Sequence, residues 1–438
     1  RFYRSKYDQN DEYINLKWGE IPNPKSFAGG TLNGIREKLG YLKRLGVNTI
    51  YLTPIFNSIS NHKYDTKDYY EVDDQFGSTV AFRKLVDEIH KLNMRVILDG
   101  VFNHVGRGFW AFRDVLKNRW DSPYKDWFQI NFDGNSNYND GLWYEGWEGN
   151  FDLVKLNLRN EEVVQHIFAA VKGWVEEFDI DGLRLDVAYC LDHDFLRRLR
   201  AFCDSLKPDF FLVGETLHGD YNQWMNDSML HSVTNYECYK GLHSSFNSMN
   251  MFEINHSLLR QFGPENWTLY KGKHLLSFVD NHDVSRIASV LTNEKHLPLI
   301  YAMAFGMPGI PCVYYGSEWG TKAKKEEGDP ALRVSFEEPQ WNDLTTFISK
   351  LAEAKKHSQA LNYGDFRSVL LTNRQCIFER KTDSERVLVA INADGENFHA
   401  DFDAGCGTAV DLITGETHDF GGGSDLAPYS AAYWKMER

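Results

Sequence analysis

The feature that most constrains the fold of this chain is an alternation of short apolar strands with amphipathic helices. Runs with a helical spacing of apolar residues, such as TVAFRKLVDEIHKLN and EEVVQHIFAAVKGWVEEF, separate the strands. Strands that alternate with helices favour a parallel α/β fold. Seven segments have the apolar, β-branched composition of buried strands: 47–54, 94–101, 181–188, 210–215, 232–239, 275–280 and 310–316.

The connections between these segments are unequal in length, and the longest follows Phe102. Barrels of parallel strands carry their active sites on long loops at the carboxyl ends of the strands. We therefore predict an α/β fold, a (β/α)8 TIM barrel with a long third-loop subdomain and a C-terminal all-β sandwich. A closed barrel needs eight strands, so either the first strand is unlike the others or it lies just upstream of Arg1. The predicted divisions are barrel at 1–102, loop subdomain at 103–160, barrel at 161–360 and β-sandwich at 361–438.

The composition excludes several classes of protein. A formal net charge of -14 argues against a nucleic-acid partner, and there is no run of 18 apolar residues to insert into a membrane. The six cysteines form no C-x-x-C pair, which argues against a zinc site and favours a reducing compartment. The expected location is cytoplasmic, or secreted if a signal peptide has been removed. The oligomeric state is left open.

Acidic residues end several of the predicted strands. Because the carboxyl ends of parallel strands meet at one mouth of a barrel, these side chains are expected to lie close together. Arg184 stands two residues before one of them and therefore points the same way. The strand-end acids are Asp99, Asp186, Glu215, Asp280 and Asp283.

Crowded carboxylates serve either a divalent metal or the cleavage of a glycosidic bond. The chain has no H-x-H or H-E-x-x-H motif, which makes a metal centre the weaker interpretation. A retaining glycosidase needs an ionised nucleophile and a protonated carboxylic acid about 5–5.5 Å apart. Arg184 is expected to lower the pKa of Asp186 and hold it ionised, as a nucleophile requires.

Four motifs, DGVFNH, GLRLDVA, GET and FVDNHD, resemble the signature regions of the α-amylase family of glycoside hydrolases in their order and spacing. The segment LVKLN resembles a fifth region in the form typical of the neopullulanase and cyclomaltodextrinase branch. The segment NHKYDTKDYYEVDDQFG is also similar to that branch. The resemblance covers nearly the whole chain.

The resemblance implies a role for each matching residue. Asp186 would be the nucleophile, Glu215 the general acid and base, and Asp283 the carboxylate that stabilises the transition state. Sugar contacts would come from residues in or near the motifs, namely Tyr64, His104, Arg184, His282, Asp329 and Arg333. Trp143, Tyr144 and Trp147 in the long loop are expected to line the substrate cleft.

The function expected from these roles is a retaining α-glucan hydrolase that cleaves α-1,4 bonds of starch-derived saccharides by double displacement. The alternative is a cyclomaltodextrinase or neopullulanase with transglycosylation. A remote alternative is a non-catalytic carbohydrate-binding relative, against which the retained acidic triad argues. The sequence VAYC replaces the VANE usual in the resembled branch, so Tyr189 and Cys190 leave the acceptor side undecided.

The expected chemistry requires no cofactor, and a structural calcium ion is left open. Two stretches, Tyr7–Asp11 and Asn131–Asp140, are rich in oxygen ligands but lack the spacing of an EF-hand loop. The expected partner is an α-glucan or malto-oligosaccharide substrate.

Overall fold

Seven parallel strands form the wall of the barrel in the computed structural model, which describes residues 2, 3, 5 and 13–436. They are β1 (Thr49–Leu52), β2 (Arg95–Gly100), β3 (Gly182–Leu185), β4 (Phe211–Gly214), β5 (Ser232–Val233), β6 (Leu276–Phe278) and β7 (Ile310–Cys312).

The order of these strands follows the chain. β1 to β5 form one sheet in sequence order, and β6 pairs with β7 in a second sheet. A parallel bridge between Thr234 and Leu276 joins the two sheets. The predicted alternating α/β architecture is therefore confirmed, but the described residues do not close the barrel between β7 and β1. The first strand expected upstream of Arg1 stays a prediction.

The predicted strand over 232–239 is wrong beyond Val233. The Asn235 side chain caps a helix there, since its Oδ1 accepts a hydrogen bond from the Cys238 amide at 3.1 Å. The apolar residues that follow form the first turns of the helix Tyr236–Asn247.

The helices of the described residues lie around and between these strands. Their bounds are Leu32–Glu37, Leu39–Leu45, Thr79–Lys91, Trp110–Asn118, Glu161–Phe178, His193–Leu206, Tyr236–Asn247, Met251–Phe262, Ile287–Val290, Leu297–Gly306, Asp329–Leu332, Asp343–His357 and Gln359–Tyr363. None of them is long and apolar enough to cross a membrane.

The long loop after β2 folds back over the mouth of the barrel. Its first strand, His104–Gly106, pairs antiparallel with Asn150–Lys155. A shorter strand, Gly146–Trp147, pairs with the other side of Asn150–Lys155. This arrangement returns the loop to the strand ends that carry the predicted acids.

The C-terminal part consists of antiparallel sheets, which confirms a sheet domain after the barrel. Six strands pair in the order β8-β9-β10-β15-β12-β13, and β11 pairs with β14. The bounds are β8 (Asp365–Leu371), β9 (Gln375–Lys381), β10 (Arg386–Asn392), β11 (Phe398–Ala400), β12 (Thr408–Asp411), β13 (Thr417–Asp419), β14 (Ser424–Leu426) and β15 (Ser430–Met436).

Strand β10 shows how this domain joins the barrel. Val387, Val389 and Ile391 belong to the large core that contains the barrel helices. Leu388 and Ala390 point to the opposite face and pack in a separate small core with the β11–β14 pair. Because successive side chains of a strand point to opposite faces, this apolar strand is buried on both faces. The domain divisions predicted from sequence stay a prediction.

Candidate active site

Three strand-end carboxylates converge on one buried guanidinium. Arg184 Nη1 lies 3.2 Å from Asp99 Oδ1 and 3.0 Å from Asp186 Oδ1. Arg184 Nη2 lies 3.2 Å from Glu215 Oε2. The register explains the convergence, because Arg184 stands opposite Asp99 on β2 and opposite Val213 on β4. The structure thus brings together the predicted nucleophile and the predicted general acid.

The backbone directly after Asp186 is strained. Val187 has a φ of 41°, in the left-handed region that β-branched residues rarely adopt. In this conformation the Val187 amide donates a hydrogen bond to Glu215 Oε2 at 2.9 Å. The turn therefore fixes the Glu215 carboxyl beside Asp186, and such local strain is typical of functional sites.

A second group of predicted residues lies next to the first. Arg333 Nη2 lies 2.8 Å from Asp283 Oδ1, and Arg333 Nε donates to the His282 carbonyl at 3.0 Å. His282 Nε2 lies 2.8 Å from the Tyr64 hydroxyl. Asp329 Oδ2 lies 3.6 Å from Arg333. These five predicted residues are joined by direct contacts.

Tyr64 links the two groups. Its hydroxyl donates to Asp99 Oδ2 at 2.9 Å, and its ring lies parallel to that of His282 with centroids 6.0 Å apart. Tyr51 donates to the same Asp99 oxygen at 2.6 Å. Sequence reasoning missed Tyr51, and its only signal was a hydroxyl within the apolar segment 47–54.

Lys63 is a second residue that sequence reasoning missed. It is buried, has a φ of 66°, and its Nζ lies 2.7 Å from Asp73 Oδ2 and 2.6 Å from Gln75 Oε1. Lys63 therefore fastens the loop that presents the neighbouring Tyr64.

The long loop contributes less to the site than predicted. His104 Nε2 lies 3.8 Å from Asp186 Oδ2, and the Trp147 ring lies 6.2 Å from the His104 ring. Tyr144 does not line the cleft, because it is fully buried and donates to the Phe151 carbonyl at 2.7 Å inside the loop core. Trp143 is 41% exposed on the loop surface.

The electrostatics of Asp186 differ from the expectation. Burial raises its pKa well above the usual range; Arg184 lowers it, but the carboxyls of Glu215 and Asp99 raise it further. Burial also raises the pKa of Asp99, and this effect outweighs the lowering by the Arg184 charge. The predicted lowering of the pKa of Asp186 is therefore wrong for the free enzyme, because three buried carboxyls share one guanidinium.

Burial and neighbouring charges set the protonation states of three further predicted residues. Burial works to raise the pKa of Asp283, but His282 and Arg333 outweigh it and the net shift is downward. Burial lowers the pKa of His282 and of His104 to about 3. Asp283 is therefore ionised and both histidines are neutral at neutral pH.

The structural calcium ion stays a hypothesis, and the described residues supply no carboxylate cluster in its support. They contain no group of three or more His, Cys, Asp or Glu side chains arranged to hold a metal. In Asn131–Asp140 the oxygens are engaged within the protein: Asp140 pairs with Arg107, and Asn135 Oδ1 accepts from the Gly141 amide at 3.1 Å. The other stretch suggested by sequence, Tyr7–Asp11, lies outside the described residues.

Comparison with known proteins agrees with this geometry. The family model for the alpha-amylase catalytic domain matches residues 1–367. The chain belongs to the alpha-amylase family of glycoside hydrolases.

Individual relatives place the chain within a branch of that family. It is 35% identical over 400 residues to a cyclomaltodextrinase of Thermoanaerobacter pseudethanolicus. The matched region is 88% of this chain and 67% of that enzyme. It is 36% identical over 357 residues to an intracellular maltogenic amylase of Bacillus subtilis, covering 79% of this chain and 58% of that enzyme. The chain thus spans about three fifths to two thirds of the length of these two relatives.

Solved structures give the same result. A cyclic alpha-maltosyl-(1→6)-maltose hydrolase from Arthrobacter globiformis superposes with a TM-score of 0.85 at 27% identity, covering 100% of this chain and 97% of that one. All of these relatives are named for hydrolysis of maltose-based saccharides.

Proposed function

We propose that this protein hydrolyses α-1,4 bonds of cyclic maltodextrins and short malto-oligosaccharides, with transfer to a second sugar as a competing outcome. The observation that carries the proposal is the placement of Asp186 and Glu215 on one guanidinium, with Asp283 near enough to act on the charge of Asp186. The relatives named cyclomaltodextrinase and maltogenic amylase favour this function over that of a general starch amylase.

The reaction would proceed in two displacements. Asp186 Oδ attacks the anomeric carbon and the glycosidic C–O bond breaks, while the Glu215 carboxyl gives its proton to the leaving oxygen. A water or sugar hydroxyl then attacks the same carbon, Glu215 takes its proton, and the bond to Asp186 breaks. Two inversions leave the anomeric configuration retained.

The surrounding residues suit this chemistry. Arg184 holds both reacting carboxyls and stabilises whichever is ionised. Asp283, held by Arg333, is an ionised acceptor for sugar hydroxyls. His104 is neutral, and its Nε2, which has no partner in the protein, can donate one hydrogen bond without adding charge. The one N–H of neutral His282 is engaged with the Tyr64 hydroxyl, so His282 orients Tyr64.

Tyr189 and Cys190 are the residues on which the balance of hydrolysis and transfer depends in this proposal. They form a short turn directly after the strained Val187 and are only half-buried. The Val187 amide, which directly precedes this turn, donates a hydrogen bond to Glu215 Oε2. Their departure from the usual sequence of the branch leaves the balance to experiment.

The test is a comparison of initial rates on β-cyclodextrin, soluble starch and pullulan, with the Asp186→Asn variant as the matched control. We expect kcat/KM per bond to be at least equal on β-cyclodextrin, and longer products from maltotriose at high concentration. A clear preference for soluble starch would overturn the proposed substrate class.

The control variant tests the mechanism. Asp186→Asn keeps the shape of the side chain but removes the nucleophile, so kcat on maltoheptaose should fall by at least about 10⁴-fold with the melting temperature preserved. Turnover within tenfold of the unaltered protein would show that Asp186 is not the nucleophile.

A further inference from the structure

A cavity of about 230 Å³ lies at the amino end of the barrel, the end opposite to the catalytic carboxyls. Lys271 and His274, which precede β6, border it on one side, and Arg380 of the sheet strand β9 borders it on the other. Asn362 and Gly364, in the connection between barrel and sheet, line it as well. We refer to it as the junction cavity. Its lining is rich in basic side chains that the proposed chemistry does not use.

Arg380 is only 1% exposed, and backbone carbonyls hold it. Its Nη1 donates to the carbonyls of Gly306 and Leu361 at 2.9 and 3.0 Å. Its Nε and Nη2 donate to the Gly364 carbonyl at 3.2 and 2.9 Å. A guanidinium has five N–H groups, so one N–H of Nη2 has no partner among the described residues.

Lys355 is a second buried basic side chain beside Arg380. Its Nζ donates at 2.9 Å to the Leu361 carbonyl, which also accepts from Arg380. Neither side chain forms an ion pair with a carboxylate of the described residues. Asp365, the one acidic residue described in the cavity lining, is 71% exposed and lies 4.0 Å from Lys271. Buried cations are ordinarily paired with an anion, so Arg380 and Lys355 lack the usual partner.

His274 borders the junction cavity, and neither of its ring nitrogens bonds to another described residue. Its ring meets that of Tyr363 edge-on, with the centroids 5.6 Å apart. Burial lowers the pKa of His274, and the positive charges of Lys355 and Arg380 lower it further. Burial and the Arg380 charge also lower the pKa of Lys355. The three side chains therefore disfavour each other's charged forms, and an anion between them would remove this conflict.

We propose that the junction cavity binds a small tetrahedral oxyanion, of which inorganic phosphate is the simplest, between Arg380 and His274. Arg380 would donate from its remaining N–H and His274 from a ring nitrogen. Lys355 adds positive charge behind Arg380, and Lys271 adds it at the rim. Such an ion accepts hydrogen bonds from several directions, and arginine is well suited to bind it. The cavity has several times the roughly 30 Å³ that one water molecule occupies, so the ion fits.

Titration calorimetry with inorganic phosphate tests the proposal on the 438-residue chain. At constant ionic strength we expect one phosphate per chain, with a dissociation constant of about 1 mM or lower. Phosphate should also raise the melting temperature, because a ligand that binds only the folded state stabilises it. Sodium chloride of equal ionic strength should not. No binding heat at about 50 mM phosphate, or an equal rise of the melting temperature in chloride, would overturn the proposal.

Two pairs of variants locate the site. His274→Gln should weaken phosphate binding by about tenfold or more, because it removes a hydrogen bond to a charged ligand. His243→Gln, which changes a half-buried histidine outside the cavity lining, should keep the affinity of the unaltered protein.

Lys355→Met should weaken binding to a similar extent, whereas Lys356→Met, at the exposed neighbouring position, should not. Methionine keeps most of the buried volume of Lys355, so this variant should still fold. Unchanged affinity in both His274→Gln and Lys355→Met would overturn the proposed site. These measurements use no saccharide and do not depend on the function proposed above.

Discussion

Single side chains around Asp99 decide how the catalytic carboxyls are held. Asp99 is buried and receives hydrogen bonds from Tyr51 and Tyr64 as well as an ion pair from Arg184. A buried carboxylate with three donors is a rigid support. In the proposed mechanism Asp99 is therefore a positioning residue: it holds Arg184, and Arg184 holds Asp186.

The Tyr51→Phe variant removes one of these donors without changing the shape of the ring. Loss of a hydrogen bond to a charged group costs about 1.5–3 kcal/mol, so we expect kcat to fall by roughly tenfold with little change in KM. The control is Tyr41→Phe, which removes a similar bond to Glu318 (2.7 Å) outside the catalytic cluster. An equal loss of kcat in both variants would contradict the role of Tyr51.

His282 gives a prediction for stability against pH. Its pKa is about 3 in the folded protein and about 6.5 when unfolded, so the unfolded state binds more protons between these values. The free energy of unfolding should therefore fall as the pH drops from about 6.5 to 4. In His282→Gln this fall should be shallower by up to about 1.4 kcal/mol per pH unit, measured by urea unfolding.

The control is His256→Gln, which changes an exposed histidine of the helix Met251–Phe262. It should keep the slope of the unaltered protein. Equal slopes in the His282 variant and the unaltered protein would show that His282 is not buried in its neutral form.

Loops and strand ends, rather than whole helices, carry the geometry of the site. The segment around Lys63 is an example, since a buried ion pair with Asp73 fixes the loop that ends in Tyr64. Val187 is another, because its left-handed backbone directs an amide to Glu215. In each segment, a strained backbone or a buried ion pair holds one predicted site residue in place.

The Lys63→Met variant should destabilise this loop. It leaves Asp73 buried without its cation, which costs about 3 kcal/mol, and it frees Tyr64. We expect a lower free energy of unfolding, measured by urea titration, together with a lower kcat/KM. The double variant Lys63→Met/Asp73→Asn removes both charges and should recover part of the stability but not of the activity. Recovery of both would show that the loop does not position Tyr64.

The whole molecule depends on close packing between the barrel and the C-terminal sheet. The helix Leu297–Gly306 lies against that sheet, and a Cβ at Gly306 would stand 3.0 Å from both methyl groups of Val389 and 3.2 Å from the Tyr433 ring. Tyr433 also donates a hydrogen bond to the Ala302 carbonyl. A larger residue at Gly306 would therefore require Val389 and Tyr433 to move by a few tenths of an ångström.

Gly306→Ala should therefore lower the free energy of unfolding by about 1–3 kcal/mol through overpacking. Gly173→Ala is the matched control, because it changes a helical glycine whose Cβ would meet nothing within 4 Å. That variant should gain about 0.5–1 kcal/mol from helix propensity. Both values come from urea unfolding, and a stabilised Gly306→Ala would contradict the close contact.

The sequence by itself determined the order of strands and helices and the identity of the acids at the strand ends. These features follow from local periodicity and from short motifs, both of which are encoded by residues that are neighbours in the chain. The sequence also indicated the family, because four short motifs occur in the family's order. The strand predicted over 232–239 failed where the Asn235 cap, a local hydrogen bond, outweighed the apolar composition.

Only the tertiary structure decided the pKa values of those residues and the hydrogen bonds and ion pairs that they form. The sequence predicted a lowered pKa for Asp186 from one adjacent arginine. The fold gives the same arginine to Asp99 and Glu215 as well, and burial reverses the shift. Tyr51 matters because β2, distant in the chain, places Asp99 against it. Lys63 matters because the fold buries its ion pair with the nearby Asp73. Burial and long-range contact set these energies, and neither is encoded in local sequence.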